Sequence, residues 1–242
     1  MRDLLQSLLF SFYYPYCSLM NRLLPRITLD GVALRILPGI YKPLDEEHRL
    51  IDFIESGKAV LDVGCGSGVL TVFAAMKSAH VTAVDISPQA IKNTQLNCRN
   101  LGIENVSILL SNMYDAVDQK FDYIVSYPPL FQVAFKNHDK QWCTSKTFLE
   151  ELFKGAESRL NPGGKLVVLL PVALGKASHV LWQRFGLELE SVVAHSDRSF
   201  AVRLHSLPYL HFNMDNHIYT IRPSQSEALQ TELSGPATSQ AV

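Results

Sequence analysis

Between residues 59 and 223 the chain alternates short apolar runs with stretches whose apolar residues recur every three or four positions, the pattern of strands alternating with helices. A helix-like stretch, Asp45 to Gly57, leads into the apolar run AVLDVG. A glycine cluster follows, and then VLTVFAAMKSA, so the order reads helix, buried strand, tight loop, helix. HVTAVDIS repeats the strand. Ser87-Pro88 supplies an N-cap with proline in the first turn, Ala90, Ile91, Thr94, Cys98 and Leu101 keep helical spacing, and Gly102 stops the helix.

VSILL (Val106 to Leu110), FDYIVS (Phe121 to Ser126) and GKLVVLLP (Gly164 to Pro171) are apolar at successive positions, as expected of parallel strands covered by helices on both faces. LELESVVAHS, FAVRLHS and HIYTIRP lie too close together for long crossover helices, which predicts an antiparallel end to the sheet. Residues 1–45 show no strand alternation and carry Pro15, Pro25, Pro38 and Pro43, which predicts a short helix and an irregular approach to the core. The expected organisation is an N-terminal apolar helical arm or lid over 1–45, an α/β domain over 46–222 and a disordered tail over 223–242, whose polar sequence lacks any aromatic residue.

Composition narrows the setting. Lys+Arg number 22 against 23 Asp+Glu, a formal charge of −1, so no global basic field exists to hold a phosphate backbone, and a nucleic-acid partner is not expected. Cys17, Cys65, Cys98 and Cys143 form no C-x-x-C pair, which argues against a zinc knuckle or disulfide framework and for a reducing, cytoplasmic setting. Leu4 to Met20 is uncharged but broken by Gln6, Ser7, Ser11 and Pro15. It makes a poor signal peptide and a marginal span, and is read as an arm that docks on its own domain ahead of a partner or, weakly, a membrane surface.

Asp62-Val63-Gly64-Cys65-Gly66-Ser67-Gly68 joins an apolar strand to a helix, where the backbone must approach a ligand closely. A dinucleotide loop of the G-x-G-x-x-G/A type needs glycine or alanine where Val69 stands, and the Gly-Lys-Ser/Thr of a P-loop is absent. VLDVGCGSG resembles the first motif of the class I S-adenosylmethionine-dependent methyltransferases, over roughly residues 46 to 222. The resemblance implies a Rossmann-like, seven-stranded, mostly parallel sheet whose last strand is antiparallel. It further implies cofactor binding at Asp62, Gly64, Gly66, Gly68, Asp85, Ile86, Asn112 and Met113. In that pattern the glycines make room for the methionine moiety, Asp85 accepts from the ribose hydroxyls, Ile86 packs on adenine and Asn112 meets its amino group.

After the fourth strand, FDYIVSYPPLF stands where amino-directed relatives resemble one another as (Asn/Asp/Ser)-Pro-Pro-(Tyr/Phe). Tyr127 replaces the acceptor and Leu130 the aromatic residue, with Phe131 next. The catalytic candidates are therefore Tyr127, the Pro128 carbonyl and, through a register shift, Ser126. Gly39 to Asp45 resembles the segment that closes over the cofactor in small-domain methyltransferases, with Tyr41 a cover for the site; His138 and Lys136 are the remaining proton acceptors. Three functions stay open. One is methyl transfer to a small, partly apolar substrate held between Tyr127, Phe131 and the arm. A second is cyclisation of the cofactor itself, as in azetidine-2-carboxylate synthases, which look like diverged methyltransferases. The third is a non-catalytic cofactor-binding subunit.

Overall fold

The computed structural model describes residues 2–43, 47–129, 147–195 and 216–224. Seven strands form one sheet in the order β5-β4-β3-β6-β7-β9-β8. They are β3 (Ala59–Val63), β4 (His80–Asp85), β5 (Val106–Leu110), β6 (Phe121–Ser126), β7 (Leu160–Pro171), β8 (Leu187–His195) and β9 (Asn216–Pro223). Only β9 runs against the rest, inserted antiparallel between β7 and β8. The mostly parallel sheet with an antiparallel last strand is the architecture expected. The segment FAVRLHS lies outside the described residues, as do Leu130, Phe131, Lys136, His138 and Cys143.

Two cores cover the sheet. On one face Leu152, Phe153 and Ala156 of α4 (Phe148–Arg159) and Trp182 of α5 (Val172–Arg184) pack on Leu61, Ile124, Leu166 and Val168. On the other, Leu70 and Ala74 of α2 (Val69–Ala75) join Leu50 and Ile51 over Val60, Val125 and Val167. The central strands thus alternate their apolar side chains between two helical layers, which is why they read as continuous apolar runs. β5 departs from that expectation. It is an edge strand whose Leu109 and Leu110 are 37% and 56% exposed, because among the described residues no strand pairs with its outer side.

α3 (Pro88–Asn100) begins as predicted: the Ser87 hydroxyl accepts from the N–H groups of Gln89 and Ala90, at 3.2 and 3.4 Å, and Pro88 fills the first turn. The region before the domain differs from expectation in two ways. β1 (Arg26–Leu29) and β2 (Val32–Arg35) form an antiparallel hairpin where none was expected. The Asp30-Gly31 turn, with φ of 45° and 81°, supplies the left-handed pair that a tight hairpin requires. The stretch read as a helix from Asp45 is instead a short 3-10 segment, Glu47–Phe53, joined to β3 by a turn at Ser56-Gly57. His48 and Arg49 of that segment reach back to Asp30, pinning the hairpin turn to it.

α1 (Arg2–Leu23) precedes the hairpin. It is tied to its own domain near its C-terminal end, where the Asn21 side-chain amide donates to the carbonyls of Leu37 and Ile40 at 3.1 and 2.7 Å. Leu8, Phe12, Leu19 and Leu23 on the same helix are exposed. Among the described residues no helix is long and apolar enough to cross a membrane.

Candidate cofactor and methyl-transfer site

A single open cleft runs along the carboxyl ends of β3, β4, β5 and β6 and holds about 1220 Å³ of empty space, its mouth included. This is where ligands bind in parallel α/β sheets, since strand ends and helix starts leave backbone groups unspent there. Gly64, Gly66, Asp85, Ile86, Asn112, Met113 and Tyr127 all line it. The topology thus brings together seven of the residues singled out from sequence.

The glycines serve different ends. Gly66 has φ +53°, and a Cβ there would meet only the Gly64 carbonyl at 3.8 Å, so its missing side chain leaves open cleft. Gly68 does not line the cleft. A Cβ on it would stand 2.9 Å from the Thr94 Cα, and its φ is +81°, so this glycine allows α2 and α3 to approach and does not make room for a ligand.

Asp85 is held by the loop it faces. Its Oδ2 accepts from the Gly66 N–H and its Oδ1 from the Ser87 N–H, both at 2.9 Å. A carboxylate oriented by two backbone donors at the cleft wall is a pre-aimed acceptor for a vicinal diol. Beyond β5, the Ser111 hydroxyl donates to the Met113 carbonyl and accepts from the Ala116 N–H. These bonds hold a turn in which Met113 takes φ +48° and Asn112 stays exposed at the cleft. That strained turn holds Asn112 and Met113 at the cleft.

Asp62 lies under the cleft and does not line it. Its carboxyl is fully buried, Oδ2 accepts from the Thr71 hydroxyl at 2.6 Å, and Oδ1 has no partner among the described residues. This carboxyl is pushed up to about 7, chiefly by burial, with the Thr71 bond pulling against that rise and the Asp85 charge adding to it. Cys65 is equally enclosed; burial raises its thiol well above the usual range, and Thr94 donates to its sulfur, which suits a structural role.

At the end of β6 Tyr127 and Pro129 line the cleft, while Pro128 between them is buried and lines none of it. Ser126 is corrected from an acceptor to a support. It is fully buried and its hydroxyl donates to the Val63 carbonyl at 2.7 Å, tying the end of β6 to the end of β3. Tyr41 does cover the site, its ring centroid 5.9 Å from that of Tyr127. Among the described residues the part of the 1–45 extension that lines the cleft is Ile40, Tyr41 and Pro43, which follow α1 in the chain. Glu47, Thr147, Phe148 and Glu151 also line it without having been singled out. Nothing in their local sequence separates them from solvated helix starts.

Residues 43–202 match the model of the methyltransferase small domain. The chain belongs to this family. It is thereby placed in the class I superfamily, with S-adenosylmethionine as cofactor, and the residues fit that group in that the open space at Gly66, the oriented Asp85 carboxylate and the Asn112–Met113 turn share one cleft. Among curated proteins it is similar to ribosomal RNA small subunit methyltransferase C of Escherichia coli, at 32% identity over 186 residues, 74% of this chain and 50% of that protein. The Yersinia pestis protein of the same name is 35% identical over 150 residues, 58% of this chain and 40% of the relative. The chain spans about half the length of the curated relatives it matches. Among solved structures, a methyltransferase from Pyrococcus furiosus superposes with a TM-score of 0.60 at 17% identity, covering 85% of this chain and 93% of that one. A T. thermophilus 16S rRNA N2 methyltransferase in complex with AdoMet and guanosine gives 0.58 at 19%, covering 82% and 49%.

These relatives overturn two expectations about this small-domain methyltransferase: a small, partly apolar substrate, and the absence of a nucleic-acid partner. The proteins that share its domain at about a third identity are named for ribosomal RNA. The net charge misled because a whole-chain sum of −1 says nothing of how charge is distributed over the surface.

Proposed function

We propose that this protein transfers a methyl group from S-adenosylmethionine to a base of RNA. The observation that carries the reading is the similarity to ribosomal RNA methyltransferases across the stretch that builds the cleft. The cofactor supplies an electrophilic methyl on a sulfonium. Everything else is alignment, because an in-line displacement needs a neutral lone pair held close to that carbon.

Gly66 leaves the space, Asp85 holds the ribose, and Ile86, Asn112 and Met113 bound the adenine. These contacts fix the reacting end in front of Tyr127. The acceptor base enters against the Tyr127 ring, whose π face and hydroxyl orient it, with Pro129 beside it on the cleft wall. Ser126 keeps β6 locked to β3 so that this turn does not drift. Exposed Arg22, Arg26 and Arg35 on α1 and the hairpin offer local phosphate contacts that the net charge conceals.

The test is incubation with methyl-labelled S-adenosylmethionine and RNA from cells lacking this protein, followed by nucleoside digestion and mass spectrometry. Label in one methylated nucleoside, with S-adenosylhomocysteine in equal amount, is expected. Methylthioadenosine formed without any acceptor, or label only in a small-molecule pool, overturns the reading.

A further inference from the structure

The cleft contains a carboxylate that neither the ribose nor the adenine end uses. Glu47 is 2% exposed yet lines the cleft. It opens the 3-10 segment that packs on α2, with Leu50 and Ile51 of that segment buried against Leu70 and Ala74, so its backbone is fixed from below. Its side chain is aimed by Tyr41, whose hydroxyl donates to Glu47 Oε1 at 2.9 Å. Tyr41 in turn lies ring to ring with Tyr127 at 5.9 Å, tilted by 57°. Glu47 is thereby placed beside Tyr41 and, through it, next to the Tyr127 wall of the same cleft that Asp85 lines.

We infer that Glu47, with Tyr41 and Tyr127, reads the charge of the cofactor, favouring the cationic sulfonium over the neutral thioether left after transfer. A buried carboxylate is costly to keep ionised unless it meets a donor or a cation, and at short range in a low-dielectric cleft its attraction for a cation greatly exceeds that for a neutral group. Aromatic faces add to the preference, since their quadrupoles attract a desolvated cation more strongly than a thioether. The attraction ends when the methyl leaves: the carbon–sulfur bond breaks with its electron pair going to sulfur, the positive charge passes to the acceptor, and the product cofactor no longer matches the carboxylate. The device therefore serves exchange of spent for fresh cofactor. It rests on the cofactor assignment and is independent of the RNA reading.

The test needs no acceptor. Affinities for S-adenosylmethionine, for sinefungin, which carries an ammonium where the sulfonium stands, and for S-adenosylhomocysteine are measured by calorimetry on wild type, Glu47→Gln and Tyr41→Phe. Wild type is expected to bind the two cationic compounds at least tenfold tighter than the neutral one. Glu47→Gln is expected to bring that ratio to within twofold of unity while leaving S-adenosylhomocysteine affinity within twofold of wild type. An equal loss for all three overturns the inference, because it puts Glu47 on the methionine ammonium they share; an unchanged ratio overturns it too. If Glu47→Gln does not fold, Tyr41→Phe decides: the ratio narrows at least twofold when the aiming donor is lost, and a ratio that stays fixed overturns the inference.

Discussion

Asn97 on α3 donates its side-chain amide to the carbonyl of Ser67 in the glycine loop, at 2.9 Å. The same amide reaches the Arg35 carbonyl at 2.9 Å, and its oxygen accepts from the Arg35 N–H at 2.8 Å. One turn earlier Asn93 repeats the arrangement, donating to Ser67 and Arg35 and accepting from the Leu37 N–H at 2.6 Å. Two buried asparagines thus clamp the N-terminal hairpin to the loop that faces the cofactor. The hairpin is part of the site's scaffold and no mere extension.

Asn97→Ala removes three hydrogen bonds and leaves two carbonyls and one N–H underserved in a buried place, which costs about 2–4 kcal/mol. Urea unfolding is expected to show that loss, together with a several-fold weaker affinity for S-adenosylmethionine. A cofactor affinity equal to wild type, measured where the variant is fully folded, would separate the clamp from the loop and refute the coupling.

Asp85→Ala strips the loop of the acceptor for the Gly66 N–H and, on the proposed binding mode, the ribose of its carboxylate. Charge-assisted hydrogen bonds are worth about 1.5–3 kcal/mol each, so a rise in Kd on the order of 100-fold or more is expected by calorimetry. An unchanged Kd would remove Asp85 from the ribose.

Asp62 sets a pH dependence of stability. Burial raises its carboxyl to about 7 in the folded protein, against about 4 for an exposed aspartate. A group with a raised folded-state value contributes stability that is complete below the unfolded value and is lost as pH rises through the folded one. Stability is therefore expected to fall between about pH 4 and 7 by up to a few kcal/mol and then level off. Asp62→Asn, which keeps an acceptor for the Thr71 hydroxyl, is expected to flatten this segment of the profile; a profile identical to wild type places the titration elsewhere.

Much of the fold could be read from the chain, because the cues were local. β5 and β6 occupy the stretches that the apolar runs marked, and the cap at Ser87 is where a hydroxyl before a proline belongs. The cleft residues Gly64, Gly66, Asp85, Asn112 and Tyr127 were legible for the same reason: each sits at the end of a strand whose position was clear. The hairpin was missed although Asp30-Gly31 is a strong local turn signal, because four prolines dominate the reading of the N-terminal stretch. Glu47 was illegible in a different way. A carboxylate among DEEH reads as a solvated helix start, and only the packing of Leu50 and Ile51 on α2 turns it inward.

Tyr127 is where the departure from the family pattern can be tested. Its ring contacts Tyr41 and lines the cleft, so Tyr127→Phe retains the wall and loses only the hydroxyl. Cofactor affinity is expected to stay within twofold of wild type. Turnover on RNA is expected to fall at least fivefold, because a misaligned acceptor loses rate without losing binding, and about 1 kcal/mol of orientation corresponds to that factor. The decisive comparison is kcat under saturating cofactor with binding measured in parallel. A drop in both quantities would show that the hydroxyl holds the pocket together, and a drop in neither would leave it a packing group.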